Sequence, residues 1–325
     1  MISAIITTCN RSNKFARAFE SILNQTYKPK EIIVVDDCSD NKISNFIKEL
    51  LPSNVNYIKH NKNRGLAAAR NTGLNQANEE LVAYLDDDDI WLPGRLEAQI
   101  KLWNSLGPER KNNLACIQVG AEIIDSKNNL LDVYLPFNEG NLKDSIINYG
   151  TGTISSCFLF IKEKIVKVGG FDEKLISGID DDIWMSLAKF GYSNIIITNP
   201  FVQINRDHNI GMMSSTNRRI KGLSQYVRKW SPTIIEWLGE ESGKKYLNKY
   251  FITSVGMLAS EKIAVGDFRS SYFALKSIIK YIGINNYFNL LFTLYFIIKV
   301  FFTIRFPRVT KIIKTSILYE GKNKK

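Results

Sequence analysis

The chain has 325 residues, 45% hydrophobic and 23% charged, which are the proportions of an ordinary globular protein with one or two domains and a sizeable core. Its four cysteines are scattered without a C-x-x-C pair, which argues against a zinc site and a disulfide framework and fits a reducing compartment. The N-terminal stretch MISAIITTCNRS has no basic region and no long apolar region, so no signal peptide is predicted.

The net charge of +11 is concentrated at the C-terminal end of the chain. Residues 287–325 contain eight Lys or Arg and one acid, a net +7 that leaves only +4 for the remainder. These cations alternate with Leu, Phe and Ile, a pattern that favours a membrane surface over nucleic acid as the partner.

The first hundred residues alternate between strand and helix patterns. Apolar runs typical of strands lie at residues 2–8, 31–37, 55–60 and 81–89. Helical spacing of apolar residues fills the segments 15–27, 44–51 and 65–77. This alternation predicts a mainly parallel sheet with helices on its faces.

Beyond about residue 110 the alternation weakens. Residues 114–125 read as one strand or two, 151–171 as a strand followed by a helix, and 177–192 as a helix with acids at its start. From about Arg218 the patterns are mostly helical.

Polar and acidic side chains follow three of the predicted strands, at Thr7, at Asp36 and Asp37, and in the run Asp86–Asp89. Acids at strand ends are often simply solvated. However, ligands of such sheets bind beyond the carboxyl ends of the strands, where these three groups converge. Adjacent like charges repel, so a cation is expected among the four aspartates.

The spacing of Asp86 and Asp88 suits a divalent cation that carries a diphosphate, because Mn²⁺ and Mg²⁺ take hard oxygen ligands. A calcium loop of the EF-hand type is the competing interpretation, but Trp91 stands where that loop requires glycine. Neither a P-loop nor a G-x-G-x-x-G pattern is present. A bound nucleotide would therefore be held mainly through metal and side chains.

A second acidic cluster, Asp180–Asp182, opens a predicted helix. Acids are favoured there by the helix dipole alone. The functional alternative is a general base, for which Asp180, beside the loop SGI, is best placed. His208 lies in a polar loop, where a surface role and a metal role both remain open.

Six segments together resemble the family-2 glycosyltransferases with the GT-A fold. They are ITTCNR, SILNQTYKPKEIIVVDDCSD, NRGLAAARNTGL, AYLDDDDIWLPGRLEAQ, GGFDE and DDDIWMSLAKFG, in this order within about residues 1–210. The resemblance implies a mainly parallel α/β sheet flanked by helices. It also implies inverting transfer of a sugar from a nucleotide-sugar to an acceptor hydroxyl, with Mn²⁺ or Mg²⁺.

The resemblance also implies roles for individual residues. Asp88 would be the direct metal ligand, and His208 would complete the metal site. The family's Glu-Asp pair falls on Ile179 and Asp180, so the first acid is missing here, and Asp180 is the implied base with Asp181 as the second choice. Contacts to the nucleotide or donor are implied for Thr7, Arg11, Asp36, Asp37, Arg70, Asp86 and Asp87.

We therefore predict a GT-A catalytic domain over residues 1–215, with a nucleotide-sugar half (1–110) and an acceptor half (111–215). A helical region (216–325) follows, and its tail (about 287–325) is predicted to associate with a membrane. Within it, residues 287–306 suit a helix lying on an anionic surface better than a span or a buried helix.

The predicted enzyme transfers a sugar, with a UDP-sugar as donor, to a polyprenyl-diphosphate-linked glycan of a bacterial surface polysaccharide. It is expected in the cytoplasm, at the inner face of the membrane. A nucleotidyl- or phosphoryl-transferase and a non-catalytic nucleotide-sugar-binding module are the alternatives. The first would need phosphate-gripping cations near Asp88, for which only Arg70 and Arg95 are candidates.

Overall fold

The computed structural model describes residues 1–151, 153–205, 215–264, 266–282 and Ile298. The chain forms two compact units, residues 1–209 and 210–325. The domain bounds and the two halves predicted above stay predictions.

The first part of the chain alternates strand and helix, as predicted. The elements are β1 (Ile2–Thr8), α1 (Ser12–Leu23), β2 (Glu31–Asp36), α2 (Asn41–Leu50), β3 (Asn56–Lys59), α3 (Leu66–Gln76) and β4 (Leu81–Asp86). The predicted strand over 81–89 ends at Asp86, and the end of the aspartate run belongs to a separate strand.

The rest of the first unit contains shorter strands and helices. They are β5 (Asp89–Trp91), α4 (Arg95–Ser105), α5 (Pro108–Asn113), β6 (Leu114–Ile124), β7 (Leu130–Tyr134), β8 (Gly140–Asn141), α6 (Leu142–Tyr149), a 3₁₀ turn (Ser155–Cys157), β9 (Phe158–Ile161), α7 (Lys162–Lys167), α8 (Ile179–Lys189) and β10 (Ser193–Asn205). The region predicted as one strand or two is the single strand β6.

All ten strands of the described residues join one mixed sheet in the order β3-β2-β1-β4-β9-β6-β10-β5, with β7 beside β6 and β8 beside β10. The pairs among β1–β4 are parallel, as is β6 with β10, whereas β9 runs antiparallel to both β4 and β6. Every residue of β1 is buried. The predicted fold class, a mainly parallel sheet flanked by helices with a helical C-terminal region, is confirmed.

Helix α3 lies close to β1 because glycine occupies the contact. A Cβ atom on Gly73 would stand 2.4 Å from Ile5 Cγ2, and Ile5 is completely buried. Arg70 lies on the same helix, three residues earlier, so this contact also sets the position of that side chain.

The second unit is helical, as predicted. It contains α9 (Thr216–Leu238), α10 (Glu240–Ala264) and α11 (Phe268–Ile282). Helix α10 packs against both of the others, with Tyr250 stacked on Tyr226 and Phe251 stacked on Tyr281. Buried aromatic and aliphatic side chains fill the centre of this unit, among them Trp230 and Val255.

None of the helices in the described part of the chain has the length and apolar character needed to cross a bilayer. The predicted membrane-associating segment, 287–306, lies outside the described residues apart from Ile298, and its role stays a prediction.

We expect Gly73→Ala to destabilise the protein although alanine favours helices. The added methyl group would lie 2.4 Å from a completely buried side chain, so the cost of overpacking is at the upper end of the usual range, about 3 kcal/mol, whereas better helix propensity returns about 1 kcal/mol. Thermal unfolding should show a lower Tm. Gly107→Ala, at the N-cap of α5, is the control for the added methyl group, because no heavy atom beyond its chain neighbours lies within 4 Å of the added Cβ. Alanine is a poorer N-cap than glycine, so the loss of Tm in Gly73→Ala should exceed the small loss expected in the control. An unchanged Tm for Gly73→Ala would contradict a tight α3–β1 contact.

Candidate active site

The four consecutive aspartates differ in exposure in an alternating way. The side chains of Asp86 and Asp88 are 31% and 25% exposed, whereas that of Asp87 is 6% exposed. Asp89, as a whole residue, is also 6% exposed. Asp86 ends β4, Asp87 and Asp88 form the turn that follows, and Asp89 begins β5, so the alternation arises in this turn, where Asp87 and Asp89 are held by hydroxyl groups. Two acids therefore face solvent together, in the Asp-x-Asp pattern, and two are held by the protein.

Asp87 is held by a hydroxyl group and a guanidinium. Thr8 Oγ1 donates to its Oδ2 at 2.7 Å, and Arg11 Nη1 donates to its Oδ1 at 2.8 Å. Burial, only partly opposed by Arg11, raises the pKa of Asp87 to about 6. Asp87 is thus a supporting acid with its own cation.

Asp88 shares that cation. Arg11 Nη1 donates to Asp88 Oδ2 at 2.9 Å, and Lys14 Nζ lies 3.8 Å from the same oxygen. Burial raises the pKa of Asp88, while Arg11 acts against the shift and the charge of Asp86 adds to it. Part of the positive charge that the aspartate run requires therefore comes from helix α1.

Asp89 belongs to β5, which pairs with β10 through Ile204 opposite Asp89. Its carboxylate accepts a hydrogen bond from Ser156 Oγ at 2.6 Å. Burial raises its pKa well above the usual range, and the charges of Asp86 and Asp88 add to the shift. This carboxyl is part of the interior.

Arg70 connects the two acidic clusters. Its side chain is 0% exposed, Nη2 donates to Asp86 Oδ1 at 2.7 Å, and Nη1 donates to Asp180 Oδ1. The rings of Tyr84 and Phe171 lie 5.9 and 5.3 Å from its guanidinium carbon. Although burial acts to lower the pKa of Arg70, the two carboxylates outweigh burial and raise it. A charged, enclosed guanidinium thus joins the end of β4 to the start of α8.

Asp180 is anchored through one of its two oxygens. Arg70 and the hydroxyl of Ser155 both donate to Oδ1. No donor to Oδ2 is found among the described residues, and the side chain is 30% exposed. The neighbouring Asp181 accepts a hydrogen bond from Thr153 Oγ1 at 2.7 Å and is not joined to Arg70. Asp180 therefore combines a fixed orientation with an oxygen that is open to solvent.

Asp36, at the end of β2, is completely buried. It accepts hydrogen bonds from the backbone N–H of Ser39 and from the hydroxyls of Ser44 and Tyr57, all at 2.7 Å. Burial alone would raise the pKa of Asp36, but these hydrogen bonds outweigh it and lower the pKa. Its contacts are those of a residue that shapes the loop after β2.

Asp37 organises the loop that leads into α3. Its carboxylate accepts hydrogen bonds from the backbone N–H groups of Arg64 and Gly65 at 2.8 and 2.7 Å. His60 Nδ1 lies 2.8 Å from its Oδ1. Gly65 has φ 89°, a value that favours glycine, and it precedes the helix that carries Arg70.

The structure brings most of the predicted site residues to one edge of the sheet. Thr7 pairs with Asp86 across β1 and β4, Arg11 and Arg70 donate hydrogen bonds to the aspartate run, and Asp180 is linked to Asp86 through Arg70. Asp36 and Asp37 end the adjacent strand. His208 lies outside the described residues. The roles of all these residues stay predictions.

Sequence reasoning missed the hydroxyl groups that hold the acids. Thr8 supports Asp87, and the segment TGTISSC supplies Thr153, Ser155 and Ser156 for three further aspartates. The only signal was a group of small hydroxyl residues before the apolar run FLFI. Lys14, which lies one helical turn after Arg11, was also missed.

Among the residues that the structure describes, no group of three or more His, Cys, Asp or Glu side chains is arranged to hold a metal ion. Asp86 and Asp88 nevertheless fit Mn²⁺ or Mg²⁺, since such ions are commonly held by one or two carboxylates together with substrate phosphates. Both acids reach the solvent, and both supply hard oxygen donors.

Comparison with known families supports the architecture. The family described as Glycosyl transferase family 2 matches residues 3–168, about half of the chain. This match, together with the mainly parallel sheet flanked by helices, defines a glycosyltransferase of the GT-A class. The chain belongs to glycosyl transferase family 2, as the resemblance indicated.

Relatives with similar sequences carry the same designation. An uncharacterized glycosyltransferase of Rickettsia felis is 29% identical over 73% of this chain, and the match spans only 40% of that relative's length. A UDP-Glc:alpha-D-GlcNAc-diphosphoundecaprenol beta-1,3-glucosyltransferase, WfgD of Escherichia coli, is 26% identical over 58% of this chain and 70% of the relative.

Solved structures share the fold. TarS 1–349 of S. aureus, in complex with UDP-GlcNAc, superimposes with a TM-score of 0.63 at 18% identity, over 94% of this chain and 90% of TarS. The mannosyltransferase PcManGT of Pyrobaculum calidifontis, in complex with GDP-Man and Mn²⁺, gives a TM-score of 0.54 at 16% identity, over 94% and 87% of the two chains. At such identities the likeness shows the fold alone.

Two fully buried arginines should respond oppositely to replacement by methionine. Arg70 is paired with two carboxylates, so we expect Arg70→Met to cost on the order of 2 kcal/mol, less than a fully buried pair because both acids are partly exposed. Among the described residues Arg95 donates one hydrogen bond, to Phe158 O, and its guanidinium carbon lies 4.0 Å from the centroid of the Trp91 ring.

Burial lowers the pKa of Arg95 to about 9, so the fold stabilises its charge less than water does, although Arg95 remains charged at pH 7. Methionine has an unbranched side chain that can pack against Trp91 as the aliphatic part of arginine does. We therefore expect Arg95→Met to unfold at the urea midpoint of the wild type or at a higher one. Urea denaturation of both variants tests the pair. Equal destabilisation would show that the carboxylate partners of Arg70 contribute little.

Asp36→Asn should lower the unfolding free energy by about 2–3 kcal/mol at pH 7, because three donors lose a charged acceptor. The folded-state pKa of Asp36 is lowered, so this stabilisation is present above the unfolded-state value of about 3.9 and is lost as the pH falls through the folded-state pKa. The Tm difference from wild type should therefore narrow below about pH 4. Asp132→Asn, on the exposed β7, is the control for loss of one negative charge. If the Tm difference between Asp36→Asn and wild type did not change with pH, the lowered pKa of Asp36 would be wrong.

Proposed function

We propose that the chain transfers a sugar from a nucleoside-diphosphate sugar, with UDP as the nucleotide, to a hydroxyl group of a glycan acceptor with inversion at the anomeric carbon. The observation that carries the proposal is the Arg70 bridge, in which one guanidinium joins Asp86, of the partly exposed Asp-x-Asp pair, to the partly exposed Asp180. The UDP-linked donors of WfgD and TarS support the choice of nucleotide.

Asp180 is the proposed general base. Its Oδ1 is fixed by Arg70 and Ser155, which leaves Oδ2 to take the proton of the acceptor hydroxyl. The hydroxyl oxygen forms its bond to the anomeric carbon while the bond from that carbon to the diphosphate oxygen breaks. A single displacement of this kind inverts the anomeric configuration. Asp181 is the second choice, because Thr153 holds it away from the bridge.

The donor side of the site is assigned to Asp86 and Asp88. Asp88, with His208 proposed beside it, would hold Mn²⁺ or Mg²⁺, which neutralises charge on the departing diphosphate when bound. Arg11 and Lys14 already lie against Asp88 and supply further positive charge there. Thr7, Asp36 and Asp37 form the adjacent edge, where we place the nucleobase.

Arg70 and Asp87 are given different positions within the same site. The resemblance implies a nucleotide contact for Arg70, and its enclosed guanidinium would act on the nucleotide through Asp86. Both carboxylate oxygens of Asp87 accept hydrogen bonds, from Thr8 and from Arg11. Asp87 would therefore lie near the donor ribose or sugar with little of its carboxylate left to contact it. Both assignments are proposals.

The acceptor is proposed to be a polyprenyl-diphosphate-linked glycan of a bacterial surface polysaccharide. WfgD, which is similar over 58% of this chain, is named for an acceptor of this kind. A lipid-linked acceptor would place the enzyme at the inner face of the cell membrane, and the basic tail at 287–325 is consistent with that place.

A nucleotidyl- or phosphoryl-transferase is less well supported. That chemistry needs cations that grip phosphates near Asp88. The two candidates from the sequence, Arg70 and Arg95, are both fully buried, whereas Arg11 and Lys14 lie beside Asp88 and are partly exposed. The match to Glycosyl transferase family 2, rather than a lack of cations, favours sugar transfer. A binding module without turnover remains the functional alternative, and Asp180 distinguishes it from an enzyme.

The donor assignment is tested by thermal stability with UDP, GDP, TDP or CMP, each with and without Mn²⁺. We expect UDP with Mn²⁺ to stabilise the wild type by about 2.7 kcal/mol at a hundred times its Kd. Asp88→Asn should lose this metal-dependent stabilisation, whereas Asp132→Asn should keep it. No stabilisation by any nucleotide would overturn the proposed function.

The base is tested by comparing Asp180→Asn with Asp181→Asn. The first should keep UDP binding and lose transfer by about 10²–10⁴-fold, and the second should retain most of its activity. Sugar transfer to a synthetic GlcNAc-diphospho-lipid, measured beside UDP binding, separates the two effects. The reverse result would make Asp181 the base, and full activity in both variants would refute general-base catalysis by this cluster.

A further inference from the structure

Helix α11 turns its larger apolar side chains outward. It buries the small or aliphatic residues Ser271, Ala274 and Ile278 on the side facing the other helices of its unit. Phe268 and Tyr272 are 69% and 68% exposed. Amphipathic helices of soluble proteins normally bury such residues and expose polar ones. This helix has its aromatic residues on the side that faces solvent.

The orientation of α11 is fixed by the packing of its opposite face. Tyr281 stacks on Phe251 of α10, with ring centroids 4.1 Å apart, and Asp267 accepts a hydrogen bond from the backbone N–H of Ser270 at the start of the helix. The outward aromatic face is therefore presented by a docked helix.

The same outward face is basic. Arg269, Lys276 and Lys280 are exposed there, and residues 268–282 contain no acid. Phe273 and Ile279, at 43% and 39% exposure, complete the surface. We define the α11 face as these residues together with the two exposed aromatics: Phe268, Arg269, Tyr272, Phe273, Lys276, Ile279 and Lys280.

We propose that the α11 face binds the surface of an anionic lipid bilayer. Aromatic and aliphatic side chains would enter the boundary between headgroups and acyl chains, while the three cations would pair with anionic headgroups. Exposed aromatic residues interspersed with Lys and Arg, without acids, are the composition of helices that lie in this interface.

A second copy of the chain suits this face less well. In a twofold-symmetric dimer the same surface meets itself, so three cations would oppose three cations without any acid from the same face. Contact between like charges of this kind is destabilising. Charge complementarity therefore favours an anionic surface over self-association.

This inference deepens the proposed function, since a lipid-linked acceptor requires the enzyme to reach a membrane. It does not depend on the tail at 287–325, and it concerns residues that the structure describes. Vesicle binding is measured without sugar donor or acceptor. A failure to bind vesicles would therefore contradict the membrane proposal alone, and a failure to transfer sugar would contradict the proposed function alone.

The test is co-sedimentation of the full chain with vesicles of phosphatidylcholine containing 30% phosphatidylglycerol, and with vesicles of phosphatidylcholine alone. We expect Lys276→Gln/Lys280→Gln to weaken binding to the anionic vesicles by about five-fold per cation, roughly 25-fold together. Phe268→Ser/Tyr272→Ser should weaken it by roughly ten-fold or more. Lys244→Gln/Lys245→Gln on α10 removes the same charge from exposed positions and should have a much smaller effect.

Three results would overturn the proposal. Wild-type binding in both α11 variants would assign the membrane contact to another part of the chain. An equal loss in the α10 control would show attraction by overall charge alone. A Tm of Phe268→Ser/Tyr272→Ser well below that of the control, or a dimer in sedimentation equilibrium that these substitutions dissociate, would show that protein covers the face.

Discussion

The candidate site depends on one enclosed guanidinium. Arg70 has no contact with solvent, and its two terminal nitrogens reach carboxylates that lie 16 and 110 residues away from it in sequence. An ionised arginine inside a protein is costly unless it is paired, and here Asp86 and Asp180 supply the pairing. The same bonds fix the end of β4 relative to the start of α8. The two hydrogen-bonded ion pairs that stabilise this part of the fold thus also hold the residues proposed to act in sugar transfer.

The aspartate run is tolerated because its charges are divided among different partners. Arg11, Lys14 and Arg70 contribute positive charge from two helices, while hydroxyl groups such as that of Ser156 satisfy the buried acids. Only every second carboxylate reaches solvent. The run of four aspartates therefore contains two kinds of residue: Asp87 and Asp89 are bonded within the fold, and Asp86 and Asp88 are accessible to a ligand.

The alternation of β1–β4 with α1–α3 and the mainly parallel character of the sheet could be predicted from the sequence, because apolar periodicity and turn residues act locally; the strand order and the short elements α5, β7 and β8 could not. The strand over 81–89 shows the limit. Its division at Asp86 depends on β10, whose pairing with Asp89 joins residues more than a hundred positions apart. The predicted topology was enough to bring the acids together at one edge of the sheet. It could not predict which side chains would form hydrogen bonds with Asp87, Asp89 and Asp180. Hydroxyl groups such as Ser155 carry no periodic signal, so only the folded chain reveals them.

The close approach of α3 to β1 has a consequence for how this sequence can diverge. Gly73 fixes the depth of the helix against Ile5, and Arg70 is attached to the same turn. A shift of a few tenths of an ångström in the core would move the guanidinium relative to both acids. Selection on Ile5 and Gly73 should therefore be stricter than their contribution to folding requires, and substitutions there should abolish turnover in proteins that remain folded.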